Sequence, residues 1–280
     1  MSEIVNTEQN EVWNGPDGMH WANHCDRYDA MAMGFNADLL AAAALTQASQ
    51  VLDIGCGTGQ ITRLAARQSP QGHALGIDLS VPMLEHARRS AGEERIGNVT
   101  FIRGDAQTHP FCRDFYDVAI SRAGVMFFAD PLAAFVNIQQ ALKRGGRLVF
   151  LTHRQASRPF EAVLAAVTEH VVAGDHLTES GVDLFSEPHR VRPLLSAAGF
   201  VGATATPVEA QSFVGRDAAE AADFLFDGPL RSILEHADSP SRRCARAAVI
   251  ASIRGNEQDD AVLFPAHGWL YTARRPHSPL

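Results

Sequence analysis

A chain of 280 residues, 46% hydrophobic and 20% charged, has the composition of an ordinary globular protein. Its length suits one large domain, or a core carrying a sizeable insertion, and suffices to bury a core without disulfide or metal staples. Acidic residues outnumber basic ones 32 to 24, giving a net charge of −8 with no Lys/Arg-rich run, which argues against nucleic acid as a partner.

Cys25, Cys56, Cys112 and Cys244 form no CxxC pair, so reduced thiols in a cytoplasmic protein are the simplest reading. The opening MSEIVNTEQNEV is polar and acidic, unlike a signal peptide, and residues 1–15 read as loosely ordered. No stretch reaches the roughly 18 to 20 apolar residues of a membrane span.

In chain order, a helix is expected from Asp17 to about Met33, with Trp21, Tyr28 and Met31 as its bulky residues, and a second from Ala37 to Ala48. VLDIG (51–55) then reads as a buried strand closed by glycine, followed by an amphipathic helix with Ile61, Leu64 and Ala65 on one face. HALGIDL (73–79) is a second strand, and Ser80 with Pro82 a capped helix start. NVTFIR (98–103) and DVAIS (117–121) follow as strands three and four. A helix opens at Asp130-Pro131 and runs to about Leu142, with Gly145-Gly146 ending it before RLVFLT (147–152) as the fifth strand. Apolar strands without alternation, interleaved with helices, imply a parallel sheet covered on both faces, an α/β doubly wound fold. Beyond Thr152 the rhythm stops. Residues 155–187 read as helical and irregular, 188–199 as a helix, 201–213 as a strand, 216–227 and 239–253 as helices, and GWLYTARR (268–275) as a last strand.

The chemistry centres on VLDIGCGTGQ (51–60). Gly55, Gly57 and Gly59 let the chain turn off a strand and bring bare backbone to a ligand at a helix N-terminus. A dinucleotide GxGxxG needs glycine where Gln60 stands. Asp53, two residues before the first glycine, would repel a pyrophosphate and suits a ligand bearing an ammonium group. Asp78 ends the second strand at close to the ~20-residue spacing of a ribose-binding carboxylate. Asp105 follows the third strand, so three carboxylates line the edge where open α/β sheets bind ligands.

These motifs, DIGCGTG at 53–59, GIDLS at 76–80 with Met83 beyond, GDAQ at 104–107 and DVAISRAGVMFFADP at 117–131, resemble the class I S-adenosylmethionine-dependent methyltransferases. The similarity is greatest to the small-molecule branch that includes the ubiquinone/menaquinone C-methyltransferases, and it covers about residues 48–152. It implies a Rossmann-like, seven-stranded sheet whose last strand is antiparallel. It also implies that the loop Gly55–Gly59, Cys56 included, contacts the methionyl part of S-adenosylmethionine. Asp78 would then bind both ribose hydroxyls, Leu79 would pack on the adenine, Asp105 and Ala106 would recognise the adenine edge, and Ser121 would lie beside the sulfonium. The organisation expected is a helical lid over 1–47, a cofactor-binding core over 48–152, and a completed sheet with helical substrate-binding insertions over 153–280.

Outside the core several residues keep two readings. Trp13, Trp21 and Tyr28 either fold over the cofactor and touch the substrate, or pack a helix on the sheet; Met126, Phe127 and Phe128 either floor an apolar substrate pocket or belong to the core. His20, His24, Cys25 and Asp26 share one stretch but lack further ligands, so no metal is expected. His153 follows the fifth strand at the carboxyl edge, either as a general base for an O- or N-nucleophile or as a strand-end histidine. The reading is methyl transfer to a small, apolar or natural-product-like molecule by in-line displacement. The alternative is a cofactor-binding regulatory or non-methylating protein on the same fold. A homo-oligomer stays open.

Overall fold

The computed structural model describes residues 3–171, 182–235 and 237–277. Four helices come first: α1 (Thr7–Asn14), α2 (Pro16–Asn23), α3 (Cys25–Ala32) and α4 (Asn36–Ala43). Strands and helices then alternate as β1 (Gln50–Ile54), α5 (Gln60–Gln68), β2 (His73–Asp78), α6 (Val81–Glu93), β3 (Val99–Arg103), β4 (Tyr116–Arg122), α7 (Pro131–Ala141) and β5 (Leu142–Gln155). Helices α8 (Arg158–Thr168), α9 (Val182–Phe185) and α10 (Pro188–Ala197) lead to β6 (Val201–Gly215). After α11 (Ala218–Asp227), α12 (Arg231–Leu234) and α13 (Ser239–Ile253), the two-residue β7 (Glu257–Gln258) and the long β8 (Ala261–Arg274) complete the chain's sheet.

The sheet order is β3-β2-β1-β4-β5-β8-β6, with β7 paired to β8. Strands β1 to β5 pair in parallel, and β8 runs antiparallel between β5 and β6. The doubly wound sheet with an antiparallel last strand is therefore present, widened to eight strands by β7. Successive residues of one strand are buried on opposite faces, as a two-sided sheet requires. Val51 packs on one face with Leu39 of α4 and Ile61 and Ala65 of α5. Leu52 packs on the other with Phe135 and Ile138 of α7 and Leu195 of α10. A third apolar cluster stands apart, joining Tyr28 of α3 to α8, α11 and α13.

Six expectations are corrected. Residues before Asp17 are ordered: α1 forms there, because Asn6, Asn10 and Asn14 recur every fourth residue and bond to the sheet edge. The helix expected to run on to Met33 is broken into α2 and α3 at His24, and α4 stops at Ala43, where Ala44 takes a left-handed conformation. No helix separates β3 from β4 among the described residues; after Asp105 a turn returns Thr108 and His109 N–H to the Asp105 carbonyl. Gly145-Gly146 does not end α7, since β5 already begins at Leu142 and the glycines lie within it beside an irregularity in pairing. Finally, β8 begins at Ala261, well ahead of Gly268. Of the helical segment expected over 155–187, residues 172–181 lie outside the described residues.

Phe150 on β5 is fully buried, stacks on Tyr271 of β8 at 4.8 Å and meets Phe135 and Phe185. Phe150→Ala should cost about 3–5 kcal/mol of folding stability, the range for emptying a fully packed aromatic site. Urea unfolding with an unchanged m-value checks it.

Candidate active site

Three of the parallel strands deliver carboxylates to one edge of the sheet. Asp53 lies near the end of β1, Asp78 ends β2, and Asp105 stands just past β3; all three line a single cavity of about 480 Å³. Burial pushes the Asp53 pKa up to about 7; the Thr62 hydroxyl, donating to its Oδ2 at 2.6 Å, and the Arg122 charge act in the opposite direction. Asp78 accepts the backbone N–H groups of Gly57 at 2.7 Å and Ser80 at 2.9 Å. Desolvation raises its pKa, and these backbone donors lower it in part. Asp105 is buried and accepts from the backbone of Val5, Asn6 and Gln107 and from the Gln107 side chain.

The glycine loop between β1 and α5 follows a path that L side chains resist. Gly55 has a φ of +63°, and a Cβ there would stand 2.7 Å from Gly124 Cα, so the loop can cross the start of the β4–α7 connection only as glycine. Gly57 also has a positive φ, +53°, but its surroundings differ: the one atom within 4 Å of an added Cβ is Met83 Sδ at 3.7 Å. That space belongs to the cavity.

Cys56, Gly55, Gly57, Leu79, Met83 and Ala106 line the cavity beside the carboxylates, and Trp21, Tyr28, Phe127 and His153 line it elsewhere. Two expected residues do not. Ser121 is fully buried and donates its hydroxyl to the Ile54 carbonyl at 2.7 Å, tying β4 to the end of β1. Gly59 caps α5 against the Phe101 ring and Ala87. The Cys56 thiol is pushed well above its ordinary pKa by burial, so it is no thiolate.

The aromatics of α1, α2 and α3 pack together and line the cavity at once. Trp21 stacks on Tyr28 at 3.7 Å, Trp13 meets Trp21 and Phe127 edge-on, and Tyr28 packs on Phe224 of α11, yet Trp13, Trp21 and Tyr28 all face the cavity. Met126, Phe127 and Phe128 likewise line the cavity while packing with the core. Helices α2 and α3 are tied to β6, α11 and α12. Arg27 pairs with Glu220 and donates to the Val214 carbonyl, and Arg231 reaches Asp17 at 2.6 Å. His153 presents an accessible imidazole to the cavity with no hydrogen bond to it among the described residues, and the surrounding protein lowers its pKa by desolvation. Among the described residues no three His, Cys, Asp or Glu side chains are grouped to hold a metal ion; His20 and His24 simply stack.

Arg122, at the end of β4, escaped the sequence reading. It lines the cavity, pairs with Asp29 of the lid at 3.1 Å and donates to Asn36 and Gln60, so it links lid, sheet and glycine loop. Asn6 was missed as well, although the Asn6, Asn10, Asn14 stripe at helical spacing marks a face that needs partners.

A doubly wound sheet with a glycine turn after β1, an acid ending β2 and an antiparallel β8 between β5 and β6 is the Rossmann-like class of fold, whose ligands bind at this edge of the sheet. The chain belongs to the methyltransferase domain family, which matches residues 45–199. It is 31% identical to the demethylmenaquinone methyltransferase of Thermus thermophilus, over 62% of this chain and 88% of that enzyme. It is 34% identical to an aklanonic acid methyltransferase of a Streptomyces species, over 40% of this chain and about half (52%) of that enzyme. Its fold matches a phosphoethanolamine N-methyltransferase of Haemonchus contortus in complex with S-adenosyl-L-methionine, with a TM-score of 0.56, 17% identity, and coverage of 98% of this chain and 60% of that one. The protein is an S-adenosylmethionine-dependent methyltransferase.

Gly55→Ala should destabilise the fold by more than about 1 kcal/mol, since it combines a left-handed backbone with a clash on Gly124. Gly92→Ala, in the exposed last turn of α6 where nothing crowds the new Cβ, should be neutral or stabilising. Paired thermal melts compare them.

Proposed function

We propose that this enzyme methylates a small, largely apolar organic molecule held between the cofactor and the aromatic lid. One observation carries the reading. The cavity is acidic at the ends of β1, β2 and β3 and aromatic under α1, α2 and α3, so it offers one end to a cofactor and the other to an apolar acceptor. The acceptors named for two relatives, demethylmenaquinone and aklanonic acid, are small molecules of this kind.

The residues fit the cofactor. Open space above Gly57 admits the methionyl part beside the backbone of Gly55 and Cys56. Asp78 would accept the ribose hydroxyls, and Leu79, Met83 and Ala106, which line the cavity beside it, would hold the adenine. Asp53 favours the cofactor's ammonium. When bound, S-adenosylmethionine supplies a methyl group on a sulfonium, which leaves by in-line displacement. The protein's part is alignment and exclusion of water, for which the lid provides the cover. His153, whose pKa desolvation lowers, is the base assigned to the proton of an oxygen or nitrogen acceptor. The four free cysteines fit a cytoplasmic setting, and the net charge of −8 disfavours a nucleic-acid substrate.

Calorimetry should show binding of S-adenosylmethionine and S-adenosylhomocysteine and none of NAD; the reverse pattern overturns the proposal. Asp78→Ala should weaken cofactor binding by about 1.5–3 kcal/mol, the range for hydrogen bonds to a charged group.

The pH dependence follows from Asp53. An ammonium beside it favours the carboxylate, whereas the free protein takes up a proton there near pH 7. Cofactor affinity should therefore fall as pH drops through about 7, and Asp53→Asn should flatten that dependence while lowering affinity at pH 8. Titrations at a series of pH values read both.

A further inference from the structure

Asp53 and Arg122 leave the sheet on the same face. Asp53 of β1 stands opposite Ile120 of β4 in the parallel pairing, and Arg122 lies two residues further along β4, so the three side chains point one way. Arg122 is the only Lys or Arg among the described residues that line the cavity. Its guanidinium is held by three helices at once. Nη1 donates to Asn36 of α4 at 2.8 Å and to Gln60 of α5 at 2.5 Å, and Nη2 donates to Asp29 of α3 at 3.1 Å. Gln60 directly follows Gly59, so the head group stands beside the glycine loop. A guanidinium has five N–H donors, and the Nε–H and one Nη2 hydrogen are therefore left over. Among the described residues no acceptor meets these two, and the side chain keeps 17% of its surface open.

A planar cation fixed on one side, with donors to spare on a cavity wall, suits both oxygens of a carboxylate. The surroundings narrow the kind of carboxylate. Asp29 already bonds to Arg122, and Asp53 is near enough for the Arg122 charge to act on it. A bare anion would be repelled by these acids. A carboxylate that brings its own ammonium is not, because the ammonium offsets Asp53. Resting on the cofactor reading above, we propose that Arg122 and Asp53 divide the two charges of the methionyl end between them. Arg122 takes the carboxylate and Asp53 the ammonium, so the enzyme selects a donor whose α-carboxylate is intact. A donor without it leaves the Arg122 donors unpaired in a partly dry site, and that cost is the basis of the selection.

The test is calorimetry at pH 8 with two ligands, S-adenosylhomocysteine and its decarboxylated analogue, in which hydrogen replaces the carboxylate. Wild-type protein should bind S-adenosylhomocysteine at least about tenfold more tightly, the scale of hydrogen bonds to a charged group. Arg122→Gln should bring the ratio of the two affinities to about one, through weaker binding of S-adenosylhomocysteine alone. Asp53→Asn should weaken both ligands and keep the wild-type ratio, because both carry the ammonium.

Wild-type protein that binds the two ligands equally overturns the proposal without any variant. So does an Arg122→Gln protein that keeps the wild-type ratio, or an Asp53→Asn protein that loses it. Wild-type protein that binds neither ligand fails the cofactor reading instead. Loss of Arg122 leaves Asp29 as an unpaired charge that is 14% exposed, which can cost the fold. The double variant Arg122→Gln with Asp29→Asn removes that charge and replaces the single variant in the comparison if the latter does not fold.

Discussion

A parallel sheet that grows from β1 toward β3 and then turns back through β4 to β5 cannot cover its own centre. The connections leave on opposite sides, and a crevice remains outside the carboxyl ends of β1 and β4. Everything in the site is arranged about that gap. Asp53 and Arg122 come from the two strands that flank it, the glycine loop turns across it, and Gly55 meets Gly124 where the two halves of the chain converge. Ser121 holds the flanking strands together from below through the Ile54 carbonyl.

The crevice gathers negative charge in a place that water reaches poorly. Desolvation raises both Asp53 and Asp78, and nearby donors act against it: the Thr62 hydroxyl of α5 for Asp53, and the Gly57 and Ser80 backbone for Asp78. The far end of the cavity has the opposite character, because α1 to α3 bring rings where the sheet brings carboxylates.

Much of this was legible in the chain. Short apolar runs marked β1 to β4 because a strand buried on both faces has no polar side to show. The glycine spacing and the acids at strand ends pointed to the carboxyl edge of the sheet, where the cavity lies. What was hidden depended on distance in space. Polar composition made residues 1–15 look loose, yet the polar groups are satisfied by Asp105, Phe127, Leu79 and Val81, none of them near in sequence. Arg122 looked like any charged residue after a strand until Asp29, Asn36 and Gln60 were brought beside it. Asp105 was read as lining the carboxyl edge, but two of its partners, Val5 and Asn6, lie about a hundred positions away. The β3–β4 connection and the true reach of β5 and β8 were misread because glycine and proline signals mark breaks without saying which element gives way.

The lid also sets the optical character of the molecule. Two of the three tryptophans, Trp13 and Trp21, sit on α1 and α2 facing the cavity, Trp21 in contact with a tyrosine ring and Trp13 with a phenylalanine. The third, Trp269, lies on β8 with its indole N–H on the Ser186 carbonyl and a guanidinium over its ring. Two of the three tryptophans therefore report on the surroundings of the cavity, and the third on the sheet.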